Sequence, residues 1–365
     1  MSIRSMLLPL TPVYRLALAI RELRLRRGWE PIHRLRFPVI SVGNLSTGGA
    51  GKTPFAIALA KVLADRGFAV DVLSRGYGRN SGAPARVDPD GSAEEFGDEP
   101  LLIAREAGVP VYVARQRYEA GLLAETAPSE VEDQTSVHIL DDGFQHRQLR
   151  RDVNILLLNG DDWRDRLLPA GNLREPLHAA LRADVIAIPE DVPGLEAELH
   201  SWGWKGQVWR IRRSMDVPGI EGPVVAFCGI ARPGQFFAGL EAAGLQLASR
   251  IVFKDHHRYV AADVERLQRA AKAAGARALV TTPKDEVRLR ESLLRSATPA
   301  DKGPWSPNLS TQDVKRMGHW NSAADSTREK LQFLTAGLRI EIEDAGTVMN
   351  WLSSRLRDSG VRPSV

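Results

Sequence analysis

The stretch that most constrains the fold lies between residues 37 and 67. An apolar run, FPVISVGN (37–44), leads into LSTGGAGKTP (45–54), and a helical pattern continues from Pro54 to Ala64. Phe55, Ala58, Leu59, Val62 and Leu63 share one face of that pattern, and Gly67 stands past its end. A glycine-rich turn between a strand and a helix points backbone N–H groups inward. With the helix N-terminus they form a positive concavity suited to phosphate. Gly48, Gly49, Ala50, Gly51, Lys52 and Thr53 would form this loop. Lys52 would reach the β- and γ-phosphates of a nucleotide, and the Thr53 hydroxyl would bind Mg²⁺. The formal pattern G-x-x-x-x-G-K-[ST] begins with a glycine where this chain has Ser46, but Gly48 and Gly49 keep the loop flexible. The plain alternative is a glycine turn with a surface lysine.

The rest of the chain repeats the strand-then-helix order. AVDVLSRG, VPVYVA, VHILDDG, VNILLLNG and ADVIAIPE are further strand candidates. Near-continuous apolar strands alternating with helices predict a parallel sheet covered on both faces. A second, smaller α/β series starts near residue 217. It has strands at VVAFCGI and ARALVTTPKD and helices at Pro233–Ala243 and Ala262–Ala274. WRIRRSMDVPGIEGP (209–223) reads as the connection, and LRIEIED and TVMNWLSSRL read as a last strand and helix. The expected division is 1–36, 37–215 and 216–365. Residues 296–329 are rich in Ser, Pro, Asn and Asp without apolar periodicity, and read as a long mobile loop.

The net charge of +4 is unevenly placed: residues 1–36 hold eight Arg and two Glu, so the remainder carries −2. Such a local excess points to an anionic partner for that segment. There, Val13, Leu16, Ala17, Ile20 and Leu23 recur at helical spacing opposite Arg15, Glu22 and Arg26, with Pro12 suited to the first turn. Charges from Arg15 onward rule out the run of roughly 20 apolar residues that spans a bilayer. The order of apolar and basic segments argues against a signal peptide. The helix either lies in a membrane interface or packs on its own domain. The lone Cys228 excludes an internal disulfide framework and reads as a small buried side chain.

Several polar groups could carry chemistry. Asp141 and Asp142 end the apolar strand VHIL, where an acid in a phosphoryl-transfer enzyme holds Mg²⁺; an acid capping the next turn is the alternative. Asp98 and Glu99 precede Pro100 and a helical stretch, as acids that favour a helix start also do. FKDHHRY (253–259) holds Asp255, His256 and His257, which are either ligands or solvated loop residues. SRGYGR (74–79) and PAGNLREP (169–176) bring Arg75, Tyr77, Arg79, Arg174 and Glu175, able to clamp an anion or to form surface ion pairs.

Taken together, SVGNLSTGGAGKTP, LSRGYGR, GDEP, VHILDDGFQHRQLRRD, LLPAGNLREP, FKDHH and TTPKDEVRL resemble the tetraacyldisaccharide 4′-kinase family, the lipid A 4′-kinases of Gram-negative bacteria. The family's own loop begins GN and lacks the first glycine, so Ser46 agrees with it. The long polar stretch at 296–329 departs from it. The resemblance implies a P-loop NTPase-like α/β domain with a parallel sheet, a second, smaller α/β domain and an N-terminal amphipathic membrane-associated helix. It implies transfer of the ATP γ-phosphate, with Mg²⁺, to the 4′-hydroxyl of a tetraacylated glucosamine disaccharide 1-phosphate. Asp98 would be the catalytic base and His256 its partner, with Lys52 on the phosphates. Thr53, Glu99, Asp141 and Asp142 would surround the metal, and Gln145 the nucleotide. Tyr77, Arg117, Arg174 and Glu175 would contact the substrate. Because His256 and Asp98 fall in different domains, the reacting centre is expected between them, with closure on nucleotide. The expected setting is the cytoplasmic face of the inner membrane, as a monomer. No nucleic-acid partner is expected, because the basic excess lies on one apolar-faced helix.

Two other classes remain open on residues alone. One is a membrane-associated P-loop ATPase switch without a lipid acceptor. The other is a soluble P-loop kinase or ligase that works without residues 1–27.

Overall fold

The computed structural model describes residues 3–49, 51–127, 135–190, 192, 194–296 and 331–358. The expected loop at 296–329 lies outside the described residues from 297 onward. The chain divides into two units, Met1–Arg213 with Ile340–Val365, and Ser214–Arg339.

The strands of the first part of the chain are β1 (Val39–Asn44), β2 (Ala69–Ser74), β3 (Ala85–Arg86), β4 (Val111–Val113), β5 (Ser136–Leu140), β6 (Val153–Leu157), β7 (Val185–Pro189) and β8 (Gln207–Asp216). They are followed by β9 (Pro223–Cys228), β10 (Gln246–Val252), β11 (Ala278–Thr281), β12 (Gln332–Thr335) and β13 (Gly337–Ile342). Among the described residues the large sheet has nine strands in the order β13-β8-β7-β6-β1-β5-β2-β4-β3. From β1 through β8 the strands pair in parallel except at the short edge, where β3 runs antiparallel to β4.

β1 lies between β5 and β6, and all six of its residues are buried. That is why FPVISVGN reads as an unbroken apolar run. From β1 the chain moves out to β2 and β4, returns to β5, then crosses to β6 on the other side of β1. The winding direction reverses at β1, which opens a crevice at the carboxyl ends of β1 and β5.

The second unit holds a parallel sheet in the order β10-β9-β11-β12. Val224, Ala226 and the buried Cys228 pack with Phe236, Phe237 and Leu240. Val225 and Phe227 alternate onto the other face with Ile251, Tyr259 and Leu267.

Two expectations are corrected. The stretch 209–223 is not simply a connection, because its first half belongs to β8. Trp209 and Ile211 are buried there while Arg210 and Arg212 are exposed. A strand with one wet face alternates, and its arginines mask the apolar positions. The last strand and helix also do not stay in the second unit. β13 pairs beside β8, and the helix Ala345–Asp358 belongs to the first unit.

A 3-10 turn, Ile3–Leu10, precedes the N-terminal helix Thr11–Arg26. Tyr14 and Leu18 pack against the core around Leu45, Phe144 and Leu173, and Leu25 is buried. Val13 is 65% exposed and Leu16 60%, with Ile20 and Leu23 exposed beside them. The helix therefore docks by one edge and turns its apolar stripe outward. Among the described residues no helix is long and apolar enough to cross a membrane.

Gly43 marks a close approach. A Cβ there would meet Phe144 Cβ at 2.5 Å and Phe144 N at 2.8 Å. Gly43→Ala should cost about 1–3 kcal/mol through overpacking, read as a lower midpoint in urea unfolding. An unchanged midpoint would contradict this contact.

Candidate active site

The glycine loop leaves β1 and enters the helix Lys52–Asp65. Gly48, Gly49 and Gly51 have φ of 70°, 65° and 79°, the left-handed region that glycine enters without a Cβ clash. Ala50 lies outside the described residues. Lys52 and Thr53 occupy the first turn of the helix, where unpaired N–H groups favour an anion.

Ser46, the departure from the formal loop pattern, has a structural task. It is buried and accepts a hydrogen bond from Asn44 Nδ2 at 3.0 Å. The other end of that amide, Asn44 Oδ1, accepts from Lys52 Nζ at 3.1 Å. Lys52 Nζ also lies 3.6 Å from Asp142 Oδ1. Arg174 closes the network by donating to both Asp142 oxygens at 3.0 and 2.9 Å, and its guanidinium also donates to Asn44 Oδ1. Such a two-pronged pair fixes both partners.

The two aspartates at the end of β5 are tuned in opposite directions. Asp142 adopts a left-handed backbone, φ 46°. Burial alone would raise its carboxyl, but Lys52, Arg174 and Arg117 outweigh that and hold it well below the usual carboxylate range. Asp141 is 2% exposed, and its Oδ1 has no hydrogen-bond partner. Its Oδ2 accepts from Ser74 Oγ at 3.4 Å. Burial, with the nearby Glu99 and Asp142, pushes its carboxyl up to about 7 against the pull of Lys52 and Arg117. Neighbouring acids pushed apart in this way mark sites of ion or proton handling.

The GDEP acids reach the same region. Gly97 backs onto the loop after β2, where an added Cβ would meet Tyr77 O at 3.0 Å. The helix Asp98–Ala107 follows directly, and Asp98 is 5% exposed. Glu99 N donates to Asp98 Oδ1 at 2.9 Å. These acids start a helix, and the charge of Glu99 also acts on Asp141.

Arg117 donates to the Asp142 carbonyl at 3.3 Å, and Gln145 Nε2 donates to the Asn44 carbonyl at 2.9 Å. Gln145 Oε1 is buried without a partner. The N-terminal helix braces this loop: Arg21 donates to the Gln145 carbonyl, Glu22 pairs with Arg147, and Tyr14 OH donates to the Arg174 carbonyl at 2.8 Å. Tyr77 stays exposed on its loop, and the buried Glu175 turns to Arg182 at 2.6 Å.

In the second unit, His256 lies 3.2 Å from Arg288 and 3.4 Å from Lys284. His257 pairs with Asp263 at 2.9 Å and stacks on Phe253. It is therefore a packed residue. Among the described residues, no group of three or more His, Cys, Asp or Glu side chains is arranged to hold a metal.

Sequence reasoning passed over Asn44, Ser74 and Arg151. Arg151 donates to the carbonyls of Gly143, Phe144 and His146 at 3.2, 3.2 and 3.3 Å, and so shapes the loop that carries Gln145. The only signal for Asn44 is an amide closing a mostly apolar strand.

The raised Asp141 gives a sign. Its unfolded form loses the proton near 3.8 and its folded form near 7, so stability falls as pH rises through that window. Asp141→Asn should remove this fall. Without nucleotide, its melting temperature should gain on the parent protein between pH 4 and pH 7. Each kcal/mol recovered corresponds to about 2–4 °C. Parallel pH curves for the two proteins would contradict the assignment.

Comparison with known proteins adds to this geometry. The family model described as tetraacyldisaccharide-1-P 4′-kinase, LpxK, matches residues 3–312. A tetraacyldisaccharide 4′-kinase from Koribacter versatilis is 43% identical over 299 residues, covering 79% of this chain and 90% of that protein. One from Nitrobacter winogradskyi is 41% identical over 293 residues, covering 77% and 83%. The crystal structure titled as the "apo" form of LpxK from Aquifex aeolicus in complex with ATP superposes with a TM-score of 0.67 and 32% identity. It covers 97% of this chain and all of that one. By a family match over residues 3–312 and relatives of this identity and coverage, the chain belongs to the tetraacyldisaccharide-1-P 4′-kinase family.

Proposed function

We propose that this chain transfers the γ-phosphate of ATP to the 4′-hydroxyl of a tetraacylated glucosamine disaccharide 1-phosphate, the lipid A 4′-kinase reaction. The observation that carries this reading is the convergence of Lys52, Asn44, Asp142 and Arg174 beside the glycine loop.

The assigned chemistry follows from the residues. A sugar hydroxyl is a weak nucleophile until its proton leaves. Asp98 takes that proton as the oxygen bonds to the γ-phosphorus. The bridging P–O bond breaks, and ADP departs with the electron pair. Lys52 and the loop N–H groups stabilise the charge that spreads over the phosphoryl oxygens. His256 is assigned as the partner of Asp98 on the family resemblance. Arg117, Arg174, Tyr77 and Glu175 are assigned to the substrate side.

The donor set suits Mg²⁺. Asp141 offers a buried oxygen without a partner, and Thr53, Glu99 and Asp142 are further hard oxygen donors. Mg²⁺ binds through one or two carboxylates plus phosphate and water, so a dedicated protein cage is not required. When bound, it supplies neutralisation of phosphate charge.

The N-terminal helix suits apposition to the cytoplasmic face of the inner membrane. Its exposed Val13, Leu16, Ile20 and Leu23 would enter the interface, with arginines near anionic head groups.

Incubation with γ-labelled ATP, Mg²⁺ and the disaccharide lipid should place the label on the lipid. Label found only in free phosphate would overturn the kinase reading and favour the ATPase switch. Asp98→Ala should lower turnover by about 10²–10⁴-fold while nucleotide affinity stays near the parent value. Near-normal turnover would remove the base assignment. Replacing Leu16 and Ile20 together by Ser should reduce sedimentation with vesicles containing anionic lipid. Undiminished vesicle binding would contradict the proposed membrane face.

A further inference from the structure

TTPKDEVRL (281–289) has no role in the reaction outlined above, yet the second unit is organised around it. Asp285 is fully buried. Its carboxylate accepts from Gly229 N at 3.0 Å, Tyr259 OH at 3.0 Å and Thr282 Oγ1 at 2.7 Å. It also pairs with Arg288 NH1 at 3.3 Å. Burial and the Asp285 charge keep the Tyr259 phenol far above its usual range, so that hydroxyl remains a donor. Arg288 is itself buried, and NH1 also donates to the Gly229 carbonyl at 3.1 Å. The same carbonyl accepts from the backbone N–H of His256 at 3.1 Å. His256 has a left-handed backbone, φ 57°. Its Nδ1 then lies 3.2 Å from Arg288 NH2.

We propose that Arg288, held by Asp285, is a positioning residue that fixes His256 with its proton on Nε2. A guanidinium nitrogen has no lone pair to offer, so Nδ1 must accept from it. A neutral imidazole that accepts at one nitrogen carries its proton on the other. Lys284 Nζ, 3.4 Å from Nε2, competes for the opposite tautomer. Arg288 prevails because its contact is shorter and two further partners pin its guanidinium, whereas a lysine ammonium pivots on a flexible stem. On the Nε2 side a carboxylate oxygen, Asp255 Oδ1, lies 3.9 Å away, beyond hydrogen-bond distance. This inference rests on the reading of His256 as the partner of Asp98. It makes His256 an N–H donor that orients a carboxylate base. It does not make His256 the group that receives the sugar proton.

The test uses the full chain labelled with ¹⁵N-histidine in detergent, at alkaline pH where a histidine ring is neutral. Two-bond ¹H–¹⁵N correlation spectra report which ring nitrogen holds the proton, and His256→Gln assigns the resonance. The expected result is Nε2–H; a proton on Nδ1 would overturn the proposal without any further variant. Arg288→Met should mix the tautomers and lower kcat at least about tenfold, with KM for ATP held within about twofold. Arg288→Lys should restore part of both. An Arg288→Met protein with the parent spectrum and kcat would also overturn it. If His256→Ala turns over normally while the parent ring shows Nε2–H, the pairing with Asp98 falls and the Arg288 assignment stands.

Discussion

One ammonium group ties the active site together. Lys52 Nζ bridges the Asn44 amide at the end of β1 and the Asp142 carboxylate at the end of β5. The glycine loop is thereby fastened to both strands that border the crevice. Each partner is held in turn. Ser46 fixes the Asn44 amide, and Arg174 grips Asp142 with two prongs. In a partly buried network such mutual orientation makes the geometry specific, because every unmade bond would leave a costly bare polar group. The same fastening splits the two aspartates. Asp142 takes the positive partners and stays ionised, while Asp141 faces Glu99 with one oxygen unpartnered.

Much of the fold was legible because most strands are buried on both faces. β1, β5, β6, β7, β9 and β11 all read as apolar runs. β8 and β10 were harder. In β8, arginines alternate with Trp209 and Ile211, and in β10 polar and apolar residues are mixed rather than gathered in a run. Single-residue alternation beside a loop is easily taken for the loop itself. The return of the last strand and helix to the first unit is a long-range pairing, which no local pattern records.

In the site, the residue types named their own chemistry: a lysine after glycines, and acids at a strand end. What the sequence withheld were the partners. Ser74 acts across 67 residues and Arg151 through backbone carbonyls, while Asn44 joins neighbours two and eight residues away to Arg174, 130 residues on; none of these follows a motif spacing. Ser46 is instructive. It looked like a flaw in the glycine loop, yet it is buried and supports the amide that receives Lys52. DHH also divides cleanly once folded. His257 packs on Phe253 and pairs with Asp263, whereas His256 faces the cations of TTPKDEVRL. The N-terminal helix packs on its own unit by one edge. Tyr14, Arg21 and Glu22 hold residues of the site loops, and the opposite stripe remains apolar and exposed.

The central claim is that this loop and Lys52 grip a nucleotide's terminal phosphates. Calorimetric titration with an ATP analogue that cannot be hydrolysed, in the presence of Mg²⁺, tests it most directly on the parent chain and Lys52→Ala. The account predicts saturable one-to-one binding by the parent and at least about tenfold weaker binding by the variant, as the loss of a charged contact implies. Equal affinity in the two proteins, or none in the parent, would contradict it.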